Sequence, residues 1–192
     1  MDSGGILLVD LSGVGYEIRE ILGCFLLSLL HLTALSRGSV PTDAHRPFHV
    51  YCDEAHRFMT EPMEDIIAET RKFNVSLTLA HQYLSQFNKA KTDALSSVGS
   101  TIIFNVDTRD AQYLKKDLQG LVDVNDLITQ DVGHAIARIA THVVRLETQR
   151  PLDIPKENCR EFIVERSRAR YCRPVDEVRR AIRARGEPAT GT

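Results

Sequence analysis

His49-Val50-Tyr51-Cys52-Asp53-Glu54-Ala55-His56 decides how this chain reads. The run from Phe48 to Cys52 is apolar and short, the pattern of a strand buried on both faces. It ends in two adjacent carboxylates. Buried parallel strands read as continuous apolar runs, and ligands bind outside their carboxyl ends. Asp53 and Glu54 therefore fall where an open α/β sheet does its chemistry. Two like charges side by side repel, so the pair becomes useful only with a cation or a reacting water. The plain alternative makes Asp53 an N-cap for a helix that follows a core strand.

The chain has 192 residues, 43% of them hydrophobic and 26% charged, enough for one globular domain with or without a tail. Its four cysteines (Cys24, Cys52, Cys159, Cys172) have no CxxC spacing. Cys24 and Cys52 lie in apolar segments, which points to reduced, buried thiols. Met1-Asp2-Ser3-Gly4-Gly5 lacks the basic start of a signal peptide. Ile21 to Leu35 is short for a membrane span and contains His31, so a buried helix is expected there. Charge is uneven. Residues 1–149 hold 13 basic against 19 acidic side chains, and residues 150–192 hold 11 against 7. The arginine-rich end reads either as a phosphate-contacting surface or as a solvated helix face balanced by its own acids.

Outward from the acidic pair, the elements alternate. Gly5 to Leu11 is expected to be a first strand, and Ser12-Gly13-Val14-Gly15 a turn. A helix from about Tyr16 to Ser36 is apolar nearly all round, so it is expected to be buried and to stop at Gly38. After the acids Thr60 is expected to cap a helix with Pro62 in its first turn, ending at Arg71-Lys72. Val75 to Ala80 is a strand ending in His81-Gln82. A short helix (Asp93–Val98), a strand (Thr101–Val106) and a helix (Asp110–Leu118) come next. Ala135–Ala140 and Val143–Glu147 alternate as an edge hairpin does. One helix, Val175–Arg185, is expected in a tail that ends disordered. This order predicts an α/β fold with a mostly parallel sheet, in a domain of residues 1–150 followed by a basic tail of 151–192. Asp10, Asp53-Glu54 and His81-Gln82 are expected to meet at one sheet edge.

The chain resembles the RecA-like motor core of the HerA/FtsK superfamily, above all the TraG/TraD-type ATPases of conjugation and type IV secretion. The resemblance rests on Gly5-Ile-Leu-Leu-Val-Asp-Leu-Ser12, His49 to His56, Glu69-Thr-Arg-Lys-Phe-Asn74, Thr78-Leu-Ala-His-Gln82, Gly99-Ser-Thr-Ile-Ile-Phe-Asn105 and Ser167-Arg-Ala-Arg-Tyr171. It implies ATP and Mg²⁺ as ligands. Asp53 matches the Walker B acid that holds Mg²⁺ through water. Glu54 matches the acid that polarises the attacking water, and Gln82 the polar sensor of the γ-phosphate. Arg71 matches an arginine finger reaching into a neighbouring subunit; its alternative is a helix-end cation. The implied partners are DNA bound without regard to sequence, further copies in a hexameric ring or other motor subunits, and secretion-system components. The implied location is the cytoplasm, at the inner face of the membrane through partners. Lys89 and Lys91 are candidate DNA contacts, with a solvated loop as the alternative.

The phosphate loop of such motors, GxxxxGK[ST], does not occur in the sequence. Its backbone N–H groups and lysine cradle the phosphates. The expectation is therefore the C-terminal part of a motor domain, without ATP hydrolysis by the chain alone. Two other readings stand beside it. One is an interaction module that binds full-length motor subunits. The other takes Asp53-Glu54-Ala55-His56 as a DEAH helicase box.

Overall fold

The computed structural model describes residues 1–59, 69–153 and 158–186. The chain forms two compact units, Met1–Gln149 and Arg150–Thr192.

The first unit is α/β. Its elements are α1 (Tyr16–Ser36), β1 (Phe48–Cys52), β2 (Val75–Leu79), α2 (Lys89–Ser96), β3 (Ser100–Ile103), α3 (Thr108–Asp117), α4 (Val124–Ile128), β4 (His134–Ile139) and β5 (His142–Glu147). β1 and β2 pair in parallel, with Phe48 opposite Val75 and Cys52 opposite Leu79. β3, β4 and β5 form a separate antiparallel sheet. Parallel pairing is thus confined to β1–β2 among the described residues. The sequence period reports which face a side chain takes, not which strand it pairs with.

Two apolar cores support these sheets. Ile103, Ala111, Leu114, Leu118, Val122, Leu127 and Ile136 pack beneath the antiparallel sheet. Met59 and Phe87 form the second core, joined by Leu27 of α1, Leu77 and Leu79 of β2 and Leu95 of α2. α1 approaches closely at Gly23, where any Cβ would collide with the Phe58 ring. Arg37, almost fully buried, fixes the far end of α1. Its guanidinium donates to the Phe73 carbonyl at 2.7 Å and to Asp2 at 2.6 Å.

Several expectations are corrected. Gly5–Leu11 forms no strand, and Ile6 to Val9 are exposed. An apolar stretch becomes a strand only where a neighbour accepts its backbone groups, and none of the described strands pairs with it. β1 is not covered on both faces: His49 and Tyr51 point outward, and Tyr51 is 76% exposed. Among the described residues the two-stranded sheet is packed on one side, and His49, Tyr51, Ser76 and Thr78 on the other are exposed. α1 is likewise not a buried helix. Only Gly23 and Ala34 are buried, while Ile21, Phe25, Leu29 and Leu32 are exposed. One face meets the sheet, and nothing in the described residues covers the rest. By length and composition this helix is apolar enough to cross a membrane. It closes through a 3₁₀ turn over Arg37–Ser39, with no left-handed residue at Gly38. The expected helix after Met59, with its Thr60 cap, falls mostly outside the described residues. Its described end, Thr70–Phe73, is a 3₁₀ turn.

The second unit has two helices, α5 (Arg160–Tyr171) and α6 (Val175–Gly186). The sequence pointed only to the latter. α5 was not legible because its apolar and charged residues share no period. Residues 187–192, expected to be disordered, lie outside the described residues.

Candidate functional site

The ladder between β1 and β2 runs past the end of both strands and shapes the site. Ala80 N–H donates to the Cys52 carbonyl at 2.9 Å, and Ala55 N–H donates to the Ala80 carbonyl at 2.9 Å. Asp53 and Glu54 are pushed out between these two bonds, both gripped by Ala80. Glu54 takes a left-handed conformation (φ 51°, ψ 43°) and heads a 3₁₀ turn over Ala55–Arg57. A non-glycine residue pays about 1–2 kcal/mol for that backbone. Asp53 is not the cap of this turn. Its Oδ1 accepts from Glu54 N–H at 2.9 Å, and the side chain is otherwise open to solvent.

Gln82 follows β2 and reaches across to its neighbour strand. Its side-chain amide donates to Glu54 Oε1 at 2.9 Å. The other carboxylate oxygen, Oε2, lies 3.4 Å from His56 Nδ1. Glu54 is therefore held at Oε1 by Gln82, and Oε2 is left to accept a further proton donor such as a water. His56 and His81 both meet the Phe87 ring edge-on, with centroids 6.3 and 4.8 Å away. Burial pushes the His81 imidazole below its ordinary range, Asp110 opposing and His56 reinforcing the shift. Beside the acids, burial and the Asp53 charge raise the Cys52 thiol to about 11.

The loop that carries Gln82 is anchored by a residue the sequence reading passed over. Asp110 in the first turn of α3 is buried, and its Oδ2 accepts from Leu84 N–H at 2.9 Å. Its own N–H donates to the Asp107 cap at 2.8 Å. The signal was present as Asp107-Thr-Arg-Asp110, a helix start with a second acid three residues on.

Of the sequence-predicted site residues, Asp53, Glu54 and Gln82 come together. Asp10 does not join them through the sheet; its Oδ1 closes a local turn onto Ser12 N–H at 2.9 Å. Arg71 is exposed in the turn that leads into β2. Because β1 and β2 are parallel, that is the opposite end from Glu54 and Gln82, about 16 Å away along five residues of strand. Lys89 and Lys91 lie not in a loop but in the first turn of α2, where Asn88 Oδ1 caps Lys91 N–H at 3.0 Å.

The fold is similar to that of the RecA-like ATPase domains of VirB4 and TrwB. Two solved structures carry the comparison. VirB4 of Thermoanaerobacter pseudethanolicus superposes with a TM-score of 0.58 at 15% identity, over 74% of this chain and 40% of that one. The bacterial conjugative coupling protein TrwB superposes with a TM-score of 0.56 at 12% identity, over 72% of this chain and 40% of that one. The chain thus spans about 40% of the length of either protein. No family model matches the sequence, and no curated protein does. The α/β class and the RecA-like likeness expected from the sequence are observed, but the mostly parallel sheet is not: among the described residues only β1 and β2 pair in parallel.

Proposed function

We propose that this chain supplies the acid and sensor side of a nucleotide site in a DNA-translocating motor of conjugation or type IV secretion. The observation that carries the proposal is the Gln82–Glu54 contact at the open end of a parallel strand pair. The fold likeness to VirB4 and TrwB supports it.

Mg²⁺ keeps several waters and takes one or two carboxylates alongside substrate phosphates. Asp53, exposed with one oxygen engaged by Glu54 N–H, fits such an outer role as the Walker B acid. When bound, Mg-ATP would supply the phosphoryl group and the charge that the metal neutralises. Glu54 accepts a proton from the attacking water at Oε2 or at the free lone pair of Oε1. A base so placed contributes about 10²–10⁴ in rate. Gln82 fixes the carboxylate and reports on the phosphate by exchanging one acceptor for another. Arg71, at the far sheet end, serves a neighbouring copy in a ring. Lys89 and Lys91 present cations at the positive end of α2, where an anion such as a DNA phosphate would offset them. We place the motor in the cytoplasm, working on DNA through its backbone.

A second reading is a module that binds full-length motor subunits. The uncovered apolar side of α1 favours it.

Mn²⁺ titration in the presence of ATP tests the first reading, followed by NMR of backbone amides. Broadening centred on Cys52–Ala55 and Ala80–Gln82, lost in Asp53→Asn, is the expected result. Absence of that local broadening sinks the metal and nucleotide assignment. Capture of a P-loop-bearing subunit that survives Asp53→Asn would then favour the second reading.

A further inference from the structure

The loop that carries Gln82 is fastened to two different cores. Leu84 packs against the core of the antiparallel sheet, while Phe87 is buried in the second core. Between them lies the 3₁₀ turn Leu84–Gln86. Phe87 N–H donates to the Leu84 carbonyl at 3.0 Å, and the Gln86 side chain accepts from Tyr83 N–H at 3.3 Å. The loop returns to its own start, because the His81 ring meets the Phe87 ring edge-on with centroids 4.8 Å apart. Gln82 is the next residue after that base, and its side chain leaves the loop for Glu54 Oε1.

Two side chains decide whether this clasp stays shut. Asp110, in the first turn of α3, is only 5% exposed, and its Oδ2 accepts from Leu84 N–H at 2.9 Å. A bond to an ionised acceptor is about twice as strong as a neutral one. His81 is half-buried, and its Nδ1 is closed off from solvent with no hydrogen-bond partner among the described residues. The neutral ring accommodates this with its proton on Nε2 and a lone pair on Nδ1. A second proton would put a buried N–H at Nδ1 with nothing to accept it, and burial disfavours the charged ring. The charged or titratable groups that act on His81 are Asp110 from α3, which favours the proton, and His56 from the turn after β1, which opposes it. Burial outweighs Asp110, so the imidazole titrates below its ordinary range.

We infer that Asp110 and His81 are positioning residues for Gln82. The Asp110 bond and the neutral His81–Phe87 contact hold Gln82 within reach of Glu54, and a proton on His81 opens the clasp and frees Gln82. Neither residue touches the reacting atoms. They are the supporting shell that fixes a site residue to within about 0.5 Å. The direction of the pH effect follows from linkage. The open loop gives His81 its ordinary affinity for protons, with a pKa near 6.5, and the shut loop a lower one. Acid below that value therefore favours the open loop, and neutral pH the shut one. The consequence for ATP rests on the motor reading of Gln82: the sensor is engaged at neutral pH and disengaged in acid.

The test is NMR of the Gln82 side-chain amide in the full chain without nucleotide, from about pH 8 to about pH 5. Gln82→Ala assigns the signals by removing them, and Glu54→Ala gives their position when the bond to Oε1 is absent. The wild type should show the bonded position at the alkaline end and move towards the Glu54→Ala position as pH falls below 6.5. His81→Phe keeps a ring for Phe87 but takes up no proton, and should hold the bonded position throughout. Asp110→Ala should sit at the freed position at every pH. Asp110→Asn still offers a carbonyl oxygen to Leu84 N–H and should restore the bonded position. Circular dichroism checks that each variant is folded; if Asp110→Ala is not, Asp110→Asn and His81→Phe decide. Bonded signals in folded Asp110→Ala, or freed signals in Asp110→Asn, overturn the role of Asp110. A wild type without a pH response overturns the role of His81. So does a response that survives His81→Phe and therefore belongs to another group such as His56. The amide is read without ATP, so failure here leaves the Mn²⁺ result standing, and failure of the nucleotide assignment leaves the clasp standing.

Discussion

The side-chain amide of Gln82 donates to Glu54 Oε1 over 2.9 Å, joining the segments that leave two adjacent parallel strands. The bond ties the acid after β1 to the loop after β2, and Asp110 holds that loop from α3.

This bond is measurable as a coupling. Glu54→Ala and Gln82→Ala should be non-additive in urea unfolding, with an interaction of about 0.5–1.5 kcal/mol. Additive effects would mean that the two side chains do not meet in solution.

The left-handed backbone of Glu54 makes a second prediction. Glu54→Gly should be more stable than Glu54→Ala by about 1 kcal/mol, because glycine adopts that conformation without the Cβ clash. The comparison cancels the lost carboxylate, which both variants lack. Equal midpoints in chemical denaturation would show an unstrained turn.

Acid should weaken the unit through His81. Its pKa is lowered in the folded chain by burial, with Asp110 and His56 the charged or titratable groups that act on it. The unfolded chain takes up the proton first, near the ordinary value of 6.5. His81 therefore lowers stability as pH falls from that value towards the folded one, and has no such effect above it. Unfolding midpoints from about pH 7.5 down to about pH 5 should fall more steeply for the wild type than for His81→Asn.

Thiol labelling should be ordered by burial. All four cysteines are free; Cys159 and Cys172 are exposed, and Cys24 and Cys52 are partly covered. With a pKa of about 11, Cys52 carries only about one part in a thousand of thiolate at pH 8. Mass spectrometry during timed alkylation should find Cys159 and Cys172 modified first and Cys52 among the last.

Arg37 should prove a stability residue. Arg37→Ala leaves the Phe73 carbonyl and Asp2 without their guanidinium partner and should lower unfolding stability by about 2–3 kcal/mol. A loss below about 0.5 kcal/mol, the range of an ordinary surface change, would contradict the buried anchor.

Read alone, the sequence determined what depends on neighbours along the chain. An apolar run closed by Asp53 and Glu54, the long helix from Tyr16, the hairpin after His134 and the helix from Val175 all follow from local periodicity and capping. The acids and Gln82 could be placed at strand ends because a parallel alternation fixes which ends face the same way. The tertiary structure decided the rest. Among the described residues it paired no strand with Gly5–Leu11, divided the strands between two sheets and exposed most of α1. It also set Arg71 at the far end of the pair and brought Asp110 under the Gln82 loop. Such features depend on which surfaces meet across tens of residues. Apolar composition shows that a surface needs a partner, and only the packed chain shows which partner is present.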